Sequence, residues 1–114
     1  MTLENLLEHL QTRPDTVEFE DVINTIEKYY DYTPVKFSNG QQINPAGENE
    51  NSCKIFAFSK LHSLSKEQTL YCFGKHYRSV LEDPTGNSHQ NIRQFMLTGW
   101  DGVEFLQPAL TAVK

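Results

Sequence analysis

The strongest limit on what this chain folds into lies in residues 52–61, Ser52-Cys53-Lys54-Ile55-Phe56-Ala57-Phe58-Ser59-Lys60-Leu61. Plotted at about 100° per residue, Ile55 and Phe58 fall opposite Cys53 and Ala57, so the segment is apolar nearly all round. A helix with no wet face belongs in the middle of a domain, and other elements must wrap it. Ile55 to Phe58 also reads as a buried strand. Helix is preferred because neither Gly nor Pro bounds the run closely. Ser52 is the expected cap.

The rest of the chain supplies the wrapping. Leu3, Leu6, Leu7 and Leu10 make a helical stripe over residues 2–11, capped by Thr2 and broken by Arg13-Pro14-Asp15. Phe19, Val22, Ile23, Ile26 and Tyr30 repeat the spacing over residues 17–30, with Asp15 or Thr16 as cap. Two stripes with a short break predict an antiparallel helical hairpin. Residues 32–37 are extended by composition. Asn39-Gly40 is a turn signal that folds residues 41–43 back on 35–37. Residues 44–51 form a polar loop.

Ser65 and Gln68 form a capping box that opens a helix to about Leu81, striped by Leu70, Phe73, Tyr77, Val80 and Leu81. Gly74 lies inside that stripe and permits close approach of another helix. Asp83-Pro84-Thr85-Gly86 is a turn. Ser88 is the expected cap of a last helix over residues 89–98, with Ile92, Phe95 and Met96 inward and Gly99 at its end. Val103-Glu104-Phe105 alternates like a short strand, and residues 107–114 are expected to fray. The fold class is therefore mainly α: about five helices around a central apolar helix, with a minor β element. At 114 residues this is a single domain, 1–114, large enough to hold a core without staples.

Charge narrows the partners. A net charge of −5 argues against binding nucleic acid or an anionic membrane by bulk charge, and no run is long enough to span a bilayer. Residues 1–31 carry eight acids and two bases. Residues 54–78 carry five bases and one acid. Internal complementarity is the plain reading of that split, and a basic site for an anionic partner the sharper one. The start is acidic and lacks the apolar stretch of a secretory signal, so Cys53 and Cys72 are expected as free thiols in a reducing cytoplasm.

Several stretches resemble the HopJ type III effector family. They are Asp31-Tyr32-Thr33-Pro34 with Phe37-Ser38-Asn39-Gly40, then Asn44-Pro45-Ala46-Gly47-Glu48-Asn49, then Ser52 to Phe58. Cys72-Phe73-Gly74, His89-Gln90-Asn91-Ile92-Arg93, Phe95-Met96 and Gly99-Trp100 continue the likeness. Asn51 and Ser88 depart from the pattern, which tends to have Gly and Asp there. The resemblance implies a bacterial protein of unknown biochemical activity, without a cofactor. It also implies cargo of type III secretion, and hence a host-protein partner if secreted. Export signals of that kind are soft and Ser-rich, whereas this chain opens with a Leu-striped helix and has no Ser before Ser38. A resident cytoplasmic role stands beside the exported one.

Candidate chemistry is sparse. Cys53 follows an expected cap, where a helix start lowers a thiol pKa, and His89 is a candidate base for it; a small core residue is the plainer reading. Cys72 and His76 share one helix face, and with Cys53 and His62 they make a Cys₂His₂ set whose spacing matches no common zinc arrangement, so no metal is expected. His89, Gln90, Asn91 and Arg93 gather donors at a helix start, suited to an anion; alternatively His89, Gln90 and Asn91 tie down the 44–51 loop. Arg93 over Trp100 would be a cation–π contact. Glu48 and Glu50 suit a cation or an acid–base pair, although the loop lacks a calcium pattern. The expected function is non-enzymatic binding of an unknown protein or small molecule. The surface proposed for it comprises Asn44, Gly47, Glu48, Asn49, His89, Gln90, Asn91 and Arg93. A cysteine-dependent enzyme using Cys53 and His89 is the alternative.

Overall fold

The computed structural model describes residues 1–113. Helix α1, Leu3–Thr12, begins where the Thr2 hydroxyl accepts from the Asn5 amide at 3.1 Å, and it buries Leu6 and Leu10. A turn of 3-10 helix, Pro14–Thr16, leads to α2, Phe19–Tyr29, which buries Val22, Thr25 and Ile26 and packs on α1. Asp15 and Thr16 lie in the 3-10 turn and cap nothing in α2, whose start falls at Glu18.

Strand β1, Tyr30–Tyr32, pairs antiparallel with β5, Leu110–Ala112. The tail expected to fray is thus a sheet member as far as Ala112; Lys114 lies outside the described residues. Two buried side chains, Ala109 and Leu110, anchor it, and the Thr33 amide donates to the Ala109 carbonyl at 2.8 Å. Strands β2, Phe37–Asn39, β3, Gln42–Asn44, and β4, Val103–Phe105, form a second antiparallel sheet in the order β3-β2-β4. The hairpin at Asn39-Gly40 is present, its first strand two residues later than its apolar pattern suggests.

Helix α3, Glu50–Leu61, contains the apolar run and buries Cys53, Ile55, Phe56, Ala57, Phe58 and Ser59. It packs against α2 and β5. The Phe56 ring meets Phe95 at 5.0 Å, Phe73 at 5.5 Å and Phe37 at 6.0 Å between centroids, with Trp100 edge-on at 6.4 Å. A fully buried Phe is worth about 2–3 kcal/mol in transfer alone, so this box is a main source of stability.

The predicted helix over residues 66–81 is two helices: α4, Lys66–Tyr71, and α5, Lys75–Glu82. The capping box forms at Ser65 as expected. The break is at Gly74, at φ +52° and ψ −122°, a conformation that side chains exclude. A Cβ there would lie 2.6 Å from the Phe19 amide nitrogen. The close approach read from the sequence is real, but it ends the helix as well. Helix α6, Gln90–Thr98, completes the set, buries Asn91, Ile92 and Phe95, and stops at Gly99. Six helices and short antiparallel strands make the described residues mainly α with a minor β element. The acidic N-terminal segment meets the basic middle at two ion pairs, Glu27–Lys54 at 3.0 Å and Glu20–Lys75 at 2.8 Å.

Candidate functional site

Both helix starts singled out in the sequence begin in an unusual way. Asn49 (φ 51°, ψ 47°) and His89 (φ 52°, ψ 54°) are left-handed and serve as N-caps of α3 and α6, with no side-chain cap on either helix. Ser52 is therefore inside α3. Ser88 precedes the cap, and its carbonyl accepts from Arg93 Nε instead. Asn and His tolerate this backbone better than most residues, because their short polar side chains bond locally.

One cleft of about 600 Å³ lies against these starts. Residues 49–52 at the start of α3 and 89–92 at the start of α6 form two walls. Phe73 and His76, on either side of the Gly74 break, add a third, and Phe19 and Gln42 complete it. Helix α5 also lacks a side-chain cap. Three helices thus present uncapped first turns beside one space.

Beneath the cleft is a floor of four amide side chains. Asn39 Nδ2 donates to the Asn91 carbonyl at 2.9 Å and to Asn91 Oδ1 at 3.1 Å. Asn91 Nδ2 donates to Asn44 Oδ1 at 2.9 Å, which also receives Asn49 Nδ2 at 2.7 Å. Asn44 Nδ2 donates to Asn91 Oδ1 at 3.2 Å. Asn39, Asn44 and Asn91 are all buried, and Asn39 Oδ1 has no partner. The network pins the loop after β3 to the start of α6. Of the three residues expected to tie this loop, Asn91 alone does so. Gln90 bonds the Asn87 carbonyl, and His89 turns toward His76.

The two imidazoles, His76 and His89, lie 5.0 Å apart between ring centroids. His76 also meets the Phe19 ring edge-on at 4.6 Å. Burial holds the His76 pKa below the ordinary imidazole value; His89 and Lys75 push it further down, against a smaller opposite pull from Glu20.

The remaining expected residues are elsewhere. Asn44 is in the floor, and Gly47 and Glu48 are exposed on the loop outside the cleft. Glu50 lines the cleft without Glu48. Arg93 does not stack on Trp100; it donates to the Asp83 carbonyl at 2.9 Å and braces the 83–88 turn, while Trp100 Nε1 donates to the Leu64 carbonyl at 3.0 Å. Cys53 is 1 % exposed, donates weakly to the Val35 carbonyl, and does not line the cleft that holds His89. Burial raises its pKa, outweighing a hydrogen bond from Tyr32, so the expected activation by the helix start is reversed. Cys72 is fully buried, and its thiol is pushed up to about 12. The Gly74 break parts it from His76, and His62 bonds the Tyr30 hydroxyl at 2.6 Å. Among the described residues no three His, Cys, Asp or Glu side chains gather as a metal set. Sequence reasoning missed Asn39, Phe19, Gln42 and Phe73 as parts of this corner. His76 was noticed only for its spacing from Cys72.

A second hollow, apolar and about 320 Å³, lies between Ala57, Leu61 and residues 105–110. No helix among the described residues is long and apolar enough to cross a membrane.

Fold and cleft together define a small, mainly helical domain with a polar, histidine-bearing cleft set on an amide floor. The sequence model of the family described as HopJ type III effector protein matches residues 3–110, nearly the whole chain, and the chain belongs to that family. It is also similar to a solved structure, the crystal structure of unknown function protein VPA0580. Identity is 52 % with a TM-score of 0.97, over 99 % of this chain and 95 % of that one. No curated protein matches the chain.

Proposed function

We propose that this chain is a single-domain, non-enzymatic binding protein whose ligand enters the cleft at the starts of α3 and α6. The observation that carries the reading is the convergence of Asn49, His89, Gln90 and Asn91, from two distant stretches of sequence, on one open cleft with His76. The floor beneath it is cross-linked by side-chain hydrogen bonds, and a site held in place before binding loses less free energy on binding. This reading takes α3 as the central rod on which that floor rests. A thiol nucleophile fits less well. Cys53 is closed to solvent, its pKa is raised, and it stands apart from the cleft.

The setting we propose is the bacterial cytoplasm, or a host cell if the protein is exported by the type III route the family is named for. No nucleic acid, membrane or cofactor enters the reading; the partner is a small molecule or a host protein that inserts a polar group.

Thermal-shift screening of the full chain tests this, using defined carboxylates, sugar phosphates and neutral sugars. Asn51→Trp, which fills the cleft from the exposed first turn of α3, is the control. At least one compound is expected to raise Tm in the parent and not in the variant. Equal shifts in both proteins would overturn the cleft. Turnover of any compound that disappears in Cys53→Ser would overturn the non-enzymatic reading.

A further inference from the structure

The chemistry of the cleft's side chains narrows the ligand. The hydrogen-bonded imidazoles among the described residues are His9, with Thr16, and His62, with Tyr30. His76 and His89 face each other without such a partner and line the same open space. Side-chain amides of Gln42, Asn51 and Gln90 share its polar wall, and the Phe19 and Phe73 rings its apolar one.

The sign of the local charge decides what fits between the rings. Facing His76 are Lys75 on its own helix, His89 from the start of α6, and Glu20 from α2. Glu20 is already taken by Lys75 at 2.8 Å. Glu50 of α3, on the wall, lies close enough to act on Tyr32 and Cys53. Lys75 and Glu20 pair with each other and act on His76 with opposite signs, whereas the His89 ring, 5.0 Å away, works against a positive charge on it, so the field between the rings resists added positive charge. A metal cation would add to that field, and no third ligand gathers among the described residues. An anion relieves it and favours the doubly donating imidazolium.

We propose that the cleft binds a small organic anion. Its carboxylate or phosphate group sits between His76 and His89, and its apolar body lies on Phe19 and Phe73. The proposal rests on the cleft being the binding site and adds the class of ligand. Binding then takes up a proton, so affinity falls as pH rises through the imidazole range.

The experiment is a titration of the full chain with benzoate and, separately, phenyl phosphate, followed by the ring resonances of all four histidines. Inorganic phosphate, which lacks the apolar body, is the third arm. The aryl anions are expected to shift the His76 and His89 rings saturably and leave His9 and His62 still. Affinity for benzoate, which stays ionised throughout, should be at least about tenfold tighter near pH 6 than near pH 8; one coupled proton sets a limit of about a hundredfold over those two units. Inorganic phosphate should bind more weakly than phenyl phosphate. His76→Gln should abolish most of the pH dependence.

Rings that stay unmoved by about 10 mM of either aryl anion near pH 6, a ceiling for any binding of interest, overturn the proposal. So does pH-independent affinity, or zinc that shifts both rings at micromolar level while the anions do not. A neutral sugar that stabilises the parent and not Asn51→Trp would sink the anion and leave the cleft standing. The failure of this inference and of the binding reading are therefore distinguishable.

Discussion

Helix α6 feeds two regions built on opposite principles. Phe95 turns into the aromatic box with Phe56, Phe37, Phe73 and Trp100, a dry region held by area and shape. Asn91, four residues earlier, turns into the amide floor with Asn39, Asn44 and Asn49, held by direction and partner count. The box tolerates a change in proportion to the volume lost. The floor does not, because removing one amide strands the polar atoms of the others in a buried place. The cleft lies against the floor and touches the box through Phe73. The polar side of its shape is therefore fixed by hydrogen bonds.

The largest break should come from the box. Phe56→Ala removes a fully buried ring with four aromatic neighbours and should cost about 3–5 kcal/mol, as large core truncations do. Urea unfolding followed by Trp100 fluorescence measures it. A loss below about 1 kcal/mol would mean the box collapses onto the void and does little of the stabilising.

The floor should answer next. Asn91→Ala deletes fewer atoms yet should cost about 2–3 kcal/mol, since it leaves Asn44 Nδ2 and Oδ1 short of a partner at full burial. The sharper measurement is the cycle with Asn44→Ala. Each amide keeps its bonds to Asn39 or Asn49, but the pair's mutual bonds are lost by either single change and can be lost only once, so the double variant should cost less than the sum of the singles by about 1 kcal/mol or more. Strict additivity would show that the two amides act separately.

These contrasts explain what was legible in the sequence. Apolar periodicity shows which faces are dry, and the stripes of α1, α2 and α6 and the buried run of α3 could be read directly. The break at Gly74 could not, because it goes with a close approach to the Phe19 backbone, distant in sequence. The tail could not either: β5 is held by pairing with β1, and eight weakly patterned residues carry no sign of a partner. In the cleft, the donors at 89–91 and the loop at 44–49 stood out as polar clusters. Which would meet was not written in either stretch. Asn39 looked like turn chemistry, yet it is buried at the centre of the floor. His76 was grouped with Cys72 through a continuous helix that does not exist. Ser52 and Ser88 looked like caps, and the left-handed entries at Asn49 and His89 displaced both.

The Gly74 break is where the box and the cleft meet, since Phe73 contacts Phe56 and also lines the cleft. Gly74→Ala should cost about 1–3 kcal/mol, from a backbone that L residues avoid and a Cβ against the Phe19 amide. Gly47→Ala is the matched control. Its φ is +87°, but nothing lies within 4 Å of the added carbon, so about 1 kcal/mol is expected. Equal losses would leave strain alone, and remove the close approach to α2 as a cause.

The smallest effect separates the regions by proton. His62 and His76 are held below the ordinary imidazole pKa, chiefly by burial, so the unfolded chain binds more protons than the folded one below about pH 6.5. Stability is therefore lost as pH falls through that range. The thiols act with the opposite sign. Burial raises Cys53 and pushes Cys72 up to about 12, so the folded chain keeps protons that the unfolded one releases above about pH 8.5, and stability falls as pH rises. The curve should be highest between those limits. His76→Gln should change stability near pH 7.5 by no more than about 0.5 kcal/mol, because the ring is neutral there and borders open space. It should flatten the acid limb, leaving His62's share, and leave the alkaline limb untouched. An acid limb that keeps its full slope in His76→Gln would place the proton-sensitive group elsewhere. The cleft would then no longer be the part of the molecule that acid reaches first.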